Sequence, residues 1–314
     1  WSSDVCSSDL ERDSMSWLKS VRGWLNRPPP QIPEPLWVST IAQLPFLGYL
    51  SERDQQRLRT LTEALLHKKP FSGAAGFELS DATAVLIAVQ AALPVLNLSL
   101  DLYDDLSAVI VTADAFPIRQ QVVDNSGVVH EWEETLAGEA IDMGGAVLLS
   151  WPDLSPTTQN QDDSPAHNLV IHEFAHKIDM RRGGANGYPP FLAGLHERAD
   201  LGDWSGVFSR AYDDFCSRID EIESRLPEDF DPDDAQPARR HDTLLADLPM
   251  DPYASRDPAE FFAVASETFF VSPAALAGAY PQVYRLLAHY YLQDPLASAA
   301  CEHGKTPDLR ISFS

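Results

Sequence analysis

The chain has 314 residues, 44% of them apolar, with a formal net charge of −24. That length supports one large domain or two small ones with a real core. A surface this acidic repels phosphate backbones and anionic lipid, which argues against nucleic acid or a membrane as direct partners.

Trp1 to Ser14 is a Ser/Asp-rich run without periodicity and reads as a non-native leader (1–14), with Met15 as the natural start. No apolar export segment follows Met15. The three cysteines, Cys6, Cys216 and Cys301, form no CxxC pair, so a reducing, cytoplasmic setting is expected. Residues 15–40 read as an N-terminal segment with a stiff Pro-rich linker over Arg27–Pro35. The remainder, 41–314, is expected to fold as a single domain.

Helical patterns run from about Ile41 to His67, broken near Pro45 and Gly48, and again from Asp81 to Leu93. The apolar run from Thr83 to Leu100 is interrupted by Gln90, Pro94 and Asn97 and is too short for a membrane span. Short β-type runs follow at Ala108–Thr112, Gln120–Val123, Val128–Trp132 and Ala146–Ser150, which suggests a small mixed sheet. Gly144–Leu148 could be an edge strand for extended substrate or an ordinary strand of the sheet. A helix is expected over about Ala166–Arg182, with Ser164 as N-cap and Pro165 in its first turn. One or two helices are expected over Phe191–Leu226, an exposed acidic loop over Pro227–Pro252, and helices over Pro258–Val271 and Pro273–Gln293. The fold class is therefore α+β: a helical N-terminal part, a small mixed sheet and a helical C-terminal part.

The third of these helices carries His172-Glu173-Phe174-Ala175-His176. Residues four apart on a helix project from one face, and two imidazoles so placed suit tetrahedral zinc. Glu173 lies about 100° round the axis from His172, placed to act as a general base without being a ligand. The flanking Leu169, Val170, Ile171, Ala175 and Ile178 imply burial, where histidines and a glutamate are costly without partners.

Catalytic zinc needs a third protein ligand and an open position. Arg182, not a histidine, stands six residues after His176, so the ligand must come from elsewhere. The segment from Asp257 offers Glu260 and Glu267, seven apart and so on one helix face. The residues alone do not choose between them. Glu260 could equally close a capping box with Asp257, and Glu267 could be an outer-shell acid. Asp179, three residues after His176, could orient a ligand histidine or lie on the helix surface beside Lys177. His167 and His196 read as structural or surface residues.

The segments Asn168-Leu-Val-Ile-His-Glu-Phe-Ala-His-Lys-Ile-Asp179 and Tyr253-Ala-Ser-Arg-Asp-Pro-Ala-Glu-Phe-Phe-Ala-Val-Ala-Ser-Glu-Thr-Phe-Phe270 closely resemble the Mlc titration factor A family of bacterial zinc peptidases. Gly76–Leu79 and Pro94–Leu96 resemble its N-terminal half. That family is similar in its catalytic core to the anthrax lethal factor peptidase domain, a gluzincin-like arrangement. The resemblance implies one zinc per chain on His172, His176 and Glu260. It also implies Glu173 as general base, Tyr253 as oxyanion donor, and aminopeptidase-type cleavage of peptide substrates in the cytoplasm. Two departures stand out: a long loop over 227–252, and Val264 where lethal factor has an acid four residues after its third ligand. The family's name carries a rival implication, a regulatory protein that binds and sequesters the glucose-related repressor Mlc, with peptidase activity secondary.

Overall fold

The computed structural model describes residues 31–113, 116–123, 129–136, 138–139, 145–154, 167–196, 202–226 and 243–297. Residues 1–30, which include the expected leader over 1–14, Ser164, Pro165 and residues 227–242 of the expected acidic loop lie outside the described residues.

Residues 33–35, expected to end a stiff linker, instead start a helix. Helix α1 (Glu34–Ile41) begins at Pro33 with Pro35 in its first turn, where a missing N–H costs nothing. Ile32 and Trp37 are buried in the core. A short 3-10 turn over Pro45–Tyr49 leads to α2 (Glu52–Lys68), capped by the Ser51 hydroxyl on the Asp54 N–H. Strand β1 (Phe71–Ala74) had no sequence signal strong enough to be anticipated. Helix α3 (Asp81–Ala92), capped by Ser80, is buried from Thr83 to Ala92 and makes the crossover to β2 (Val109–Thr112).

Strands β3 (Phe116–Val123) and β4 (Val129–Leu136) form an antiparallel ribbon of their own. The main sheet has the order β1-β2-β6-β5, where β5 is Gly138–Glu139 and β6 is Val147–Ser150. Strands β1, β2 and β6 are parallel; β5 runs antiparallel to β6. Leu148 and Leu149 are therefore paired on both sides, by β2 and β5, whereas Val147 pairs with β2 alone among the described residues.

After the turn of helix α4 (Trp151–Leu154) comes α5 (Leu169–Asp179), the helix with the histidine pair. Its N-cap is Asn168, whose side-chain oxygen accepts from the Ile171 N–H, rather than Ser164. All eleven of its residues are buried. Ile171, Phe174, Ala175 and Ile178 are 0% exposed, and each large apolar side chain so placed contributes about 1.5–3 kcal/mol. The helix tightens into a 3-10 turn, Met180–Arg182, and stops at Gly183.

Residues 191–196 form turns rather than the start of a helix, and α6 spans Trp204–Glu223. Helix α7 (Pro258–Val271) takes the expected bounds, with Asp257 capping the Ala259 and Glu260 N–H groups. The last helical pattern is divided by Pro281 into α8 (Pro273–Ala279) and α9 (Pro281–Tyr291). The whole is a mixed, largely helical fold around a small, mainly parallel sheet. Among the described residues no helix is long and apolar enough to cross a membrane.

Candidate metal centre

Helices α5 and α7 pack side by side. The start of α5 (Asn168) meets the far part of α7 (Glu267), and the end of α5 (His176) meets the start of α7 (Glu260), so the two run antiparallel. Their contact surface holds His172, His176, Glu260 and Glu267.

Glu260 Oε2 lies 3.1 Å from His172 Nε2 and 3.0 Å from His176 Nε2, and the two Nε2 atoms are 3.2 Å apart. The capping-box return bond from the Glu260 side chain to Asp257 is not made; the carboxylate turns to the histidines instead. Burial alone would raise the Glu260 carboxyl pKa, but its hydrogen bonds to His172 and His176 hold it well below the usual carboxylate range. Burial likewise works against the His172 cation, yet the nearby carboxylates of Glu260 and Glu267 prevail and push its pKa up to about 10.

The donor set fits a metal ion. Tetrahedral zinc with bonds of about 2.0–2.2 Å spaces its ligand atoms about 3.3–3.6 Å apart, a few tenths of an ångström beyond the triangle seen here. His172, His176 and Glu260 are also the group of His, Cys, Asp and Glu residues, among the described ones, whose ligand atoms converge closely enough to hold an ion. The Glu260 carboxylate against both imidazoles, with Glu267 against the far edge of His172, further favours a cation at this place.

Other predicted residues surround this triangle. Glu173 is 2% exposed, on the helix turn that bears His172. Tyr253, at the outer rim and 36% exposed, has its ring centroid 6.1 Å from that of His172. Arg256 donates to the Tyr253 hydroxyl and stacks over its ring. Sequence reasoning passed over Arg256, although its i+3 spacing from Tyr253 across a helical turn was a usable signal.

Glu267 does not reach the triangle. It approaches His172 from the opposite edge of the ring, at Nδ1. Asp179 does not bond a histidine. Its Oδ2 accepts from the Asn186 and Gly187 N–H groups, both at 2.7 Å, and pins the loop that follows α5. Burial lifts its carboxyl pKa above the ordinary value against the pull of those amides. Gly187 has φ +76°, and a Cβ on it would stand 2.4 Å from the Pro258 carbonyl at the start of α7. His196 is structural: Nδ1 accepts from the Leu192 N–H and Nε2 bonds the Tyr290 carbonyl. His167 is exposed, 3.4 Å from Glu267.

Residues 16–292 match the family described as glucose-regulated metallo-peptidase M90. The chain belongs to the M90 family. Among its relatives are Mlc titration factor A of Yersinia pestis and of Yersinia pseudotuberculosis, each 33% identical over 81% of this chain and 83% of the relative. An uncharacterised Synechocystis protein is 33% identical over 83% of this chain and 85% of its own length. The M90 match spans both helices of the His172–His176–Glu260 triangle and the sheet beside them, so the cluster and the family membership concern the same part of the chain.

Proposed function

We propose that this M90 chain is a cytoplasmic zinc-dependent peptidase of aminopeptidase type, with residues 41–314 as one gluzincin-like catalytic unit binding one zinc. The observation that carries this reading is the convergence of Glu260 Oε2 on both His172 Nε2 and His176 Nε2, beside Glu173, within two buried helices.

In this reading His172, His176 and Glu260 hold the ion. Zinc bound there would polarise a scissile carbonyl and make water acidic enough to be deprotonated near neutral pH. Glu173 accepts that proton and returns it to the leaving amine, the general base and acid of the reaction. Its burial keeps bulk water from competing for the carboxylate. Tyr253, at the open rim, donates a hydrogen bond to the developing oxyanion, with Arg256 against it to hold the phenol in place. The test is digestion of a defined peptide library by the zinc-loaded chain, with zinc-stripped protein as control. Cleavage that depends on zinc and removes N-terminal residues supports the reading; no zinc-dependent cleavage refutes it.

A second reading has support from the relatives named Mlc titration factor A. The chain would bind the repressor Mlc, its charge of −24 complementing a basic DNA-binding partner. Binding of Mlc by a zinc-free His172→Ala chain, with no peptide cleavage by the wild type, would favour this reading over the first.

A further inference from the structure

Glu267 is 1% exposed in the middle of α7 and lies outside the triangle of converging ligand atoms. Its two oxygens face two different donors. Oε1 accepts from the backbone N–H of Asn168. Oε2 is fully buried, without a hydrogen-bond partner, and 3.6 Å from Nδ1 of His172, which is likewise buried and unbonded. Asn168 is held in turn: its side-chain oxygen caps α5, and its amide nitrogen donates to Gln90 Oε1 on α3 at 2.7 Å. Gln90, Asn168, Glu267 and His172 are all buried, so a polar chain runs from α3 through the cap of α5 and across α7 to one edge of an imidazole.

We propose that Glu267, fixed by Asn168, is a positioning residue that takes the Nδ1–H of His172 and so keeps the Nε2 lone pair aimed at the Glu260–His176 pocket. This rests on the reading of His172, His176 and Glu260 as metal ligands. A neutral imidazole has one N–H, and the bond it makes at one nitrogen decides which nitrogen can coordinate. Only a carboxylate suits this position. Both of its faces meet N–H donors, and a glutamine in the same place would turn its own NH2 toward one of them. The same geometry explains why α7 carries two glutamates seven residues apart: they grip opposite edges of one ring.

The experiment is a zinc competition titration of the full chain as wild type, His172→Ala and Glu267→Gln, with circular dichroism of each. Long-range 1H–15N spectra of the zinc-loaded wild type accompany it. We expect Glu267→Gln to keep the native dichroism and lose zinc affinity by roughly 10–100-fold, and the wild-type His172 ring to be protonated at Nδ1. A folded Glu267→Gln chain with wild-type affinity overturns this proposal alone, as does a His172 ring protonated at Nε2. The spectra decide the matter even if the variant does not fold. A wild type that takes up no zinc, or a His172→Ala chain that binds it equally well, overturns the metal-site reading and this proposal with it.

Discussion

Replacing Glu260 by Gln separates a metal ligand from a helix cap with almost no change of shape. The cap belongs to Asp257, whose Oδ1 serves the Ala259 and Glu260 N–H groups and is untouched by the change. Gln is also tolerated at that helix position, so a capping role alone predicts an effect below about 0.5 kcal/mol, under threefold. A ligand role predicts far more. Structural zinc sites bind with about 10–16 kcal/mol over four protein ligands, roughly 2.5–4 kcal/mol for each. Losing the charged one should therefore weaken zinc by about 10²–10³-fold. One effect works the other way. Glu260 helps hold a proton on His172 in the metal-free chain, and the variant loosens that hold; Glu267 still grips the ring, so this offset is the smaller. The assay is competition against a chromophoric chelator at fixed pH, with thermal melting in the presence and absence of zinc. Zinc affinity within threefold of wild type in the folded Glu260→Gln chain would refute the ligand reasoning.

His172→Ala and His176→Ala should each abolish stoichiometric zinc by elemental analysis; full occupancy in either would contradict the triangle. Glu173→Gln should retain zinc while peptide turnover falls about 10²–10⁴-fold, the usual worth of a general base. Near-normal turnover of a loaded Glu173→Gln chain would remove that role. Tyr253→Phe should lower kcat with unchanged zinc content, since the hydroxyl acts in the transition state; an unaltered kcat would make it an ordinary rim aromatic. Finally, zinc uptake should release a proton near pH 7–8, because His172 is held protonated up to about pH 10 in the metal-free chain and must be neutral to coordinate. Calorimetry in buffers of different ionisation enthalpy reads that proton directly, and affinity should climb with pH until about 10. The sign for stability is opposite: the raised value stabilises the metal-free fold fully below about pH 6.5 and is lost as pH rises through about 10.

The parts of the fold legible in the sequence were those with strong local signals. Helix α7 was bounded by a Pro, a capping Asp and a dense apolar run, and α3 by Ser80 and Pro94. The histidine pair and Glu173 were readable because helical spacing alone places them. Other features depended on tertiary context. Proline frequency suggested an extended linker as far as Pro35, but Ile32 and Trp37 find a core to bury in, and the helix follows. Strand β1 is four residues, three of them small, and only its pairing with β2 defines it. The choice between Glu260 and Glu267 could not be made from spacing, since both touch His172. The pairing of Asn168 with Gln90 carried no sequence signal, because it joins residues 78 positions apart that only the packing of α3 against α5 brings together.

Gly187 gives the site a dimension set from outside it. Its backbone lies so close to the Pro258 carbonyl that a single methyl would need about 1 Å more room, given an ordinary contact of about 3.4 Å. Pro258 opens the helix that bears Glu260, while Asp179 anchors the same loop to the helix that bears both histidines. The glycine thus works as a thin spacer between the helix that bears the histidines and the helix that bears Glu260, and it does so without contributing an atom to the cluster.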